Sequence, residues 1–369
     1  MMAPGRLRTS AEPLDVVVLK SPEFHSRKRT NGGPSGSQLP YRMDLLASHG
    51  IRLHWSDAPY RKPWTTSVLS NAVRALERAG APFLQTLALT RSVAKSPVVL
   101  AMFESEGHFL AALRWIRLPP FTRARLVVMS CWLAELLPTL SSRRLAWYRR
   151  AYRTVDRVIC LSSGEVAVVE EWLDLPSGRV CYVSFGVDDE FFAPSDVPEE
   201  GYVIAVGRDR GRDWRTLLAA ARHSELPFKV LCRPRDIAGL ALPSNVEVMG
   251  YVDRETYRDL TARARLAVVA TRPVAYASGQ SVLLESMALG KACVATATNA
   301  LADAISGSHA VLTVPPGDPE ALARAIGRAA ADGELRQELG RAARAMVEHR
   351  FRAEAMWENI AALLRDVAR

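Results

Sequence analysis

Among the 369 residues there are five cysteines, and no two of them form a Cys-x-x-Cys pair. Cys131, Cys160, Cys181, Cys232 and Cys293 are scattered, mostly in apolar runs, which is the pattern of reduced, buried thiols and argues against a disulfide framework or a zinc site. No ordered spacing of His and Asp of the kind that holds a metal appears either, so neither metal nor cofactor is expected. No apolar run approaches the roughly 20 residues that a membrane span needs. The start, Met1 to Arg8, has no apolar stretch that can act as a secretory signal, and the expectation is a cytoplasmic protein. Lysine is scarce too: Lys20, Lys28, Lys62, Lys95, Lys229 and Lys291 are the only ones among 48 basic side chains, so arginine carries almost all of the formal charge of +9.

That charge admits three kinds of acidic partner: nucleic acid, an anionic membrane surface, or a phosphorylated small molecule. The arginines are spread through both halves and no nucleic-acid-binding motif accompanies them, so no nucleic-acid partner is expected. The densest stretch, Arg143 to Arg153, interleaves arginines with Trp147, Tyr148 and Tyr152. It reads as a solvated helix whose aromatics pack inward, with membrane-surface contact as the less favoured alternative. The oligomeric state is not legible.

With 49% hydrophobic residues the chain can bury two cores. Short apolar runs alternate with helical stretches throughout. Strands are predicted at Asp15–Leu19, Ile51–Trp55, Val98–Met102, Arg125–Met129, Arg157–Leu161 and Val180–Ser184, with a helix-like segment from Ser37 to His49. A proline- and acid-rich break at Pro194 to Gly201 follows. The pattern then restarts with Tyr202–Val206, Phe228–Cys232, Val246–Met249, Leu266–Ala270, Ala292–Ala295 and Val311–Val314. The expected fold class is α/β: two Rossmann-like, doubly wound domains, residues 1–194 and 195–350, facing a cleft, with a terminal helix in 351–369.

The stretch Ala277 to Lys291 is a small polar loop feeding an apolar helix. Ser278, Gly279, Gln280 and Ser281 offer backbone N–H groups and the positive end of a helix dipole to an anion. Glu285 lies one turn beyond Ser281 on the same face, placed to accept hydrogen bonds from sugar hydroxyls, whereas Ser capping an ordinary helix needs no ligand. Directly after the first strand of the second half stands Gly207-Arg208-Asp209-Arg210-Gly211-Arg212-Asp213. Arg208 and Arg212 are candidate phosphate ligands; the plainer reading pairs the arginines with Asp209 and Asp213. In the first half, Gly32 and Gly33 sit in a flexible loop that reads equally as an acceptor or phosphate loop or as a connector. Glu104, Glu106 and His108 end a central strand and read equally as an acid–base cluster in the cleft or as a solvated turn.

These segments resemble the GT-B family-4 retaining glycosyltransferases, closely in the C-terminal half and loosely before it. Val183 to Pro194 resembles the family's hinge, with Phe185 where Asn is usual. Asn245 to Val252 is similar to the strand and turn whose backbone meets the nucleobase, here at Tyr251 and Val252. Pro315 to Leu322 matches as a capped helix start. The resemblance implies a glycosyltransferase, hexosyl or deoxysugar, moving a sugar from a nucleotide diphosphate sugar to an acceptor hydroxyl with retention and without a metal. It also implies that Arg208 and Arg212 bind the donor diphosphate, that Ser278 to Ser281 touch the donor, and that Glu285 holds the ribose. The terminal helix, including Met356 to Leu364, is expected to cross back to the first domain.

Two further family positions differ. The strand Arg125–Met129 is followed by Ser130-Cys131-Trp132 where the family often has a His, and His108 is the nearest substitute. Ala277 stands where the family places a carboxylate on the transferred sugar. A small apolar surface there predicts tolerance of a deoxygenated or otherwise modified sugar of the kind used in specialised metabolites, and the expected acceptor is a small molecule, a specialised metabolite among the candidates. The alternatives are a catalytically impaired nucleotide-sugar-binding protein and a membrane-surface glycosyltransferase of envelope assembly.

Overall fold

The computed structural model describes residues 12–19, 40–55 and 83–369. Among these described residues twelve strands form two six-stranded sheets, and every strand pair is parallel. The first sheet contains β1 (Leu14–Leu19), β2 (Ile51–His54), β3 (Val98–Ala101), β4 (Arg125–Ser130), β5 (Arg157–Cys160) and β6 (Val180–Tyr182), in the order β2-β1-β3-β4-β5-β6. The second contains β7 (Val203–Val206), β8 (Phe228–Leu231), β9 (Val246–Met249), β10 (Leu266–Val269), β11 (Cys293–Thr296) and β12 (Val311–Val314), in the order β12-β11-β10-β7-β8-β9. In the second sheet the winding direction reverses between β7 and β10. Doubly wound sheets bind ligands beyond the carboxyl ends of the strands at such a switch point.

Alternation along each strand explains the two-sided burial. Val16 and Val18 enter one core and Val17 and Leu19 the opposite one, and β7 likewise sends Ile204 one way and Val203 and Ala205 the other. The inward cores of the two sheets are continuous through the segment 183–192 and the terminal helix Ala353–Ala368. Ala353, Met356, Trp357, Ile360, Ala361, Leu364 and Val367 recur at helical spacing and are all buried. This helix lies against the first sheet's side of the molecule, touching residues 40–47, β3 and β4, and the Trp357 indole donates to the Tyr41 carbonyl at 2.6 Å.

The chain crosses between the halves twice, side by side. Val187 N donates to Phe351 O at 2.8 Å and Ala353 N to Val187 O at 2.9 Å. A Cβ on Gly186 would collide with the Arg352 carbonyl, so this close crossing needs glycine there. Asp188, buried beside it, accepts from Arg42 at 3.1 Å, Arg254 at 2.9 Å and the Phe191 N–H at 3.2 Å. Burial pushes its carboxyl up, but Arg254, Phe191 N–H and Arg42 together hold it below the usual range. The helix-like segment expected from Ser37 to His49 is, where described, a 3-10 run Pro40–Ala47 in which Tyr41 and Arg42 take left-handed φ of 52° and 61°. That twist delivers Arg42 to Asp188 and the Tyr41 carbonyl to Trp357.

Candidate functional site

The loops leaving β7 and β10 meet at the switch point. Arg212 and Thr271 form an antiparallel bridge between them. Asp209 organises the junction: its carboxylate accepts from Ser278 Oγ at 2.6 Å, Tyr276 OH at 2.9 Å, Gly211 N at 3.0 Å and Arg212 Nε at 3.0 Å. Burial works against its ionisation, yet Arg212 and these donors keep the carboxyl below its ordinary value. With Nε held by Asp209, the terminal nitrogens of Arg212 are turned to the start of the helix Gln280–Ala288; a Cβ on Gly279 would lie 3.0 Å from Arg212 Nη1. Gly279 has φ of 84°, which suits glycine, and it forms the N-cap of that helix. A buried guanidinium and the first N–H groups of a helix thus converge on one spot, an arrangement for an anion.

The other expected donor residues surround it. Glu285, half-buried one turn on, accepts from Tyr257 OH at 2.8 Å. Burial, then the Glu285 charge, raises the Tyr257 hydroxyl well above its ordinary value, so it stays a donor. Ser281 is half-buried in the helix's first turn. Arg208 is exposed, with its guanidinium 5.0 Å from the ring centre of Tyr251, which is 70% exposed, and Val252 packs on the core beside it. Asp213 pairs with neither arginine in the described bonds; it caps the helix Trp214–Ala221 through Thr216 N at 3.1 Å and Thr216 Oγ1 at 2.7 Å.

The first domain closes over this loop. Gln280 Nε2 donates to Leu161 O at 3.1 Å, Ala277 N to Glu165 at 3.1 Å and Ala275 N to Glu135 at 3.1 Å. The rings of Trp132 and Tyr276 lie 4.3 Å apart, and the Arg210 guanidinium reaches both, at 5.7 and 5.9 Å. Among the described residues, no group of three or more His, Cys, Asp or Glu is placed to hold a metal ion, and no helix is long and apolar enough to cross a membrane.

Residues 205–332 match the family described as Glycosyl transferases group 1. The chain is similar to the D-inositol 3-phosphate glycosyltransferase of Corynebacterium urealyticum, 28% identical over 289 residues, covering 70% of this chain and 66% of that relative, just under two thirds of its length. The fold is similar to that of a sucrose-phosphate synthase from Thermosynechococcus elongatus, with a TM-score of 0.74, 20% identity and coverage of 96% and 98% of the two chains. It is also similar to that of Anabaena HepE in complex with UDP and glucose, with a TM-score of 0.65, 16% identity and coverage of 96% and 100%. The chain has the two-domain GT-B fold, and its second half carries the match to the glycosyl transferases group 1 model.

Several expected site residues stand elsewhere in this GT-B frame. Glu104, Glu106 and His108 do not form a cluster in the cleft. Glu104 is buried and accepts from Ser130 Oγ at 3.1 Å, Leu133 N at 3.2 Å and the N–H groups of Cys131 and Trp132, so it shapes the turn that presents Trp132. Burial raises its pKa, against the pull of those donors. Glu106 is fully buried and accepts from Ser105 Oγ at 2.7 Å. His108 turns into the contact between the helices Glu104–Trp115 and Ser142–Tyr152, its Nδ1 2.7 Å from Tyr152 OH and its ring 4.4 Å from that of Tyr148. Burial pushes its pKa down to about 3, and it holds no proton to give near neutrality. All three lie within the first turns of one helix: Glu106 points to a different side from the other two, and Glu104 and His108, which share a face, are taken up by different buried partners. Gly32 and Gly33 lie outside the described residues.

Beside Ala277 stands the Glu165 carboxyl of the first domain, which accepts from Ala277 N at 3.1 Å. Asp209, Tyr257, Trp132, Glu135 and Glu165 were missed as site residues in the sequence. Only Glu165 carried a signal, the capping pattern Ser162-x-x-Glu165 at the end of β5.

Proposed function

We propose that this protein is a retaining glycosyltransferase that moves a hexosyl or deoxyhexosyl group from a nucleotide diphosphate sugar to a hydroxyl of a small acceptor, a specialised metabolite being the class favoured. The observation that carries the reading is the buried Arg212 guanidinium, locked by Asp209 against the N-terminus of the helix Gln280–Ala288 at the switch point. The leaving diphosphate gains charge as the sugar departs, and donors already fixed around it stabilise that charge without reorganising. Because Asp209 neutralises Arg212, directed N–H bonds and the helix dipole carry much of this stabilisation, with Arg208 adding net positive charge at the rim. Glu285, with Tyr257 beside it, accepts from the ribose hydroxyls, and Tyr251 with Val252 borders the base.

Retention follows from attack on the face the diphosphate leaves. The acceptor oxygen bonds to the anomeric carbon, the carbon–oxygen bond to phosphate breaks, and the acceptor proton passes to the departing phosphate oxygen. The step draws on neither His108 nor Glu104, and the cations and helix end take the place of a metal. The five free cysteines suit a reducing, cytoplasmic setting.

Incubation with a panel of nucleotide sugars and candidate acceptors, read by mass spectrometry, tests the proposal: one donor yields nucleoside diphosphate and a glycoside. A second reading, binding of a nucleotide sugar without transfer, is favoured by the inward turn of His108. Saturable donor binding with neither hydrolysis nor product supports that reading instead.

A further inference from the structure

Glu165 opens the helix Ser163–Leu173, where the Ser162-x-x-Glu165 spacing would bring a capping glutamate back to the N-cap N–H. Its carboxyl instead crosses to the other domain, and one oxygen, Oε1, accepts from Ala277 N at 3.1 Å. The residue is 1% exposed, and its other oxygen, Oε2, is buried with no hydrogen-bond partner. A buried polar atom without a partner is costly, so its retention at this spot calls for a group that meets it. The loop it touches runs directly into Ser278 to Ser281, three residues short of the first helical turn. A sugar joined to a diphosphate at that turn has to pass beside residue 277.

The surroundings decide which chemistry the free oxygen offers. Burial pushes the Glu165 carboxyl up to about 8, and the acidic neighbours Glu104 and Asp303 act in the same direction, against the Ala277 N–H. Near neutrality the group is therefore mostly a neutral acid. Such an acid both donates to and accepts from a hydroxyl, and it does not repel the adjacent diphosphate as a carboxylate would.

We propose that Glu165, reaching in from the first domain, binds a hydroxyl of the donor sugar through Oε2 and sets the preference for a sugar that carries it. This inference rests on the reading of Ser278 to Ser281 as the diphosphate site. It replaces the expectation that Ala277 leaves the sugar without a carboxyl to meet. Glu165 is a specificity determinant; the bonds made and broken in transfer do not involve it.

The test compares binding of three ligands to the full chain: the nucleotide sugar selected by the panel above, each of its monodeoxy analogues, and the matching nucleoside diphosphate. In the wild-type protein one monodeoxy analogue should bind about tenfold more weakly than the parent sugar, the scale of one buried hydrogen bond. In Glu165→Leu, parent and analogue should bind alike, while affinity for the nucleoside diphosphate stays unchanged. If that variant does not fold, Glu165→Ala carries the same comparison. Equal binding of every monodeoxy analogue and the parent by the wild-type protein overturns the inference without any variant. So does a Glu165→Leu protein that weakens all three ligands together, which is the mark of a mere latch between domains. Failure of the wild-type protein to bind any nucleoside diphosphate instead overturns the reading of the diphosphate site.

Discussion

Replacing Arg212 separates two contributions that the structure places in one side chain. Its side chain is only 4% exposed and pairs with Asp209 at 3.0 Å, so Arg212→Ala removes the cation from a buried pair. Breaking such a pair costs about 3–5 kcal/mol when the partner is left uncompensated. Here Asp209 keeps Ser278 Oγ, Tyr276 OH and Gly211 N as donors, so the loss of stability should lie at the lower end of that range. The same change removes the guanidinium beside the Gly279 cap, and donor binding should weaken by about 2–5 kcal/mol. The double variant Asp209→Asn with Arg212→Ala removes the stranded charge. It should recover much of the stability and none of the binding. Thermal melts and calorimetric titration with nucleoside diphosphate, run on both variants, read the two effects separately. A folded Arg212→Ala protein that binds nucleoside diphosphate as the wild type does would refute the reasoning.

Glu285→Gln keeps an acceptor for Tyr257 OH but loses the charge, and nucleoside diphosphate affinity should fall about five- to thirtyfold, measured by titration; equal affinity removes the ribose role. Glu104→Ala strands the N–H groups of the turn at Trp132 and should lower stability by about 1–3 kcal/mol per unsatisfied group, seen in denaturant unfolding, without changing the shape of the pH–rate profile. His108, with its folded pKa depressed to about 3, contributes stability that is full above its ordinary value of 6.5 and lost as pH falls from there towards 3. His108→Gln should flatten the pH dependence of the melting temperature in that window and leave transfer unchanged. Glu165 has the opposite sign: its folded pKa of about 8 makes its contribution largest below 4.5 and lost as pH rises from there to 8, so Glu165→Gln should flatten the stability profile between those values.

The twelve strands of the described residues were legible to within a residue or two, because each is a short, largely apolar run between helices, and most are buried on both faces of a parallel sheet. That Arg208, Arg212, Ser278 to Ser281 and Glu285 come together was legible for a related reason: they sit at strand ends and helix starts, whose direction follows from the fold class. The contacts that fix those residues were not. Tyr257 and Glu285 are 28 residues apart and Glu165 and Ala277 112, and nothing in local spacing links either pair. The acid–base cluster failed for a different reason. A loop position was read for Glu104, Glu106 and His108, whereas all three lie on a helix, where residues two apart face different sides and where Glu104 and His108, four apart, are held by Ser130 and Tyr152 respectively.

The most direct test of the central claim is calorimetric titration of the wild-type chain with UDP, GDP, ADP and dTDP in the presence of EDTA. Arg212, Arg208 and the helix Gln280–Ala288 should hold one of these diphosphates saturably without a metal, and added salt and Arg212→Ala should each weaken it. Binding of none of them, or binding that appears only when a divalent cation is restored, would contradict the account.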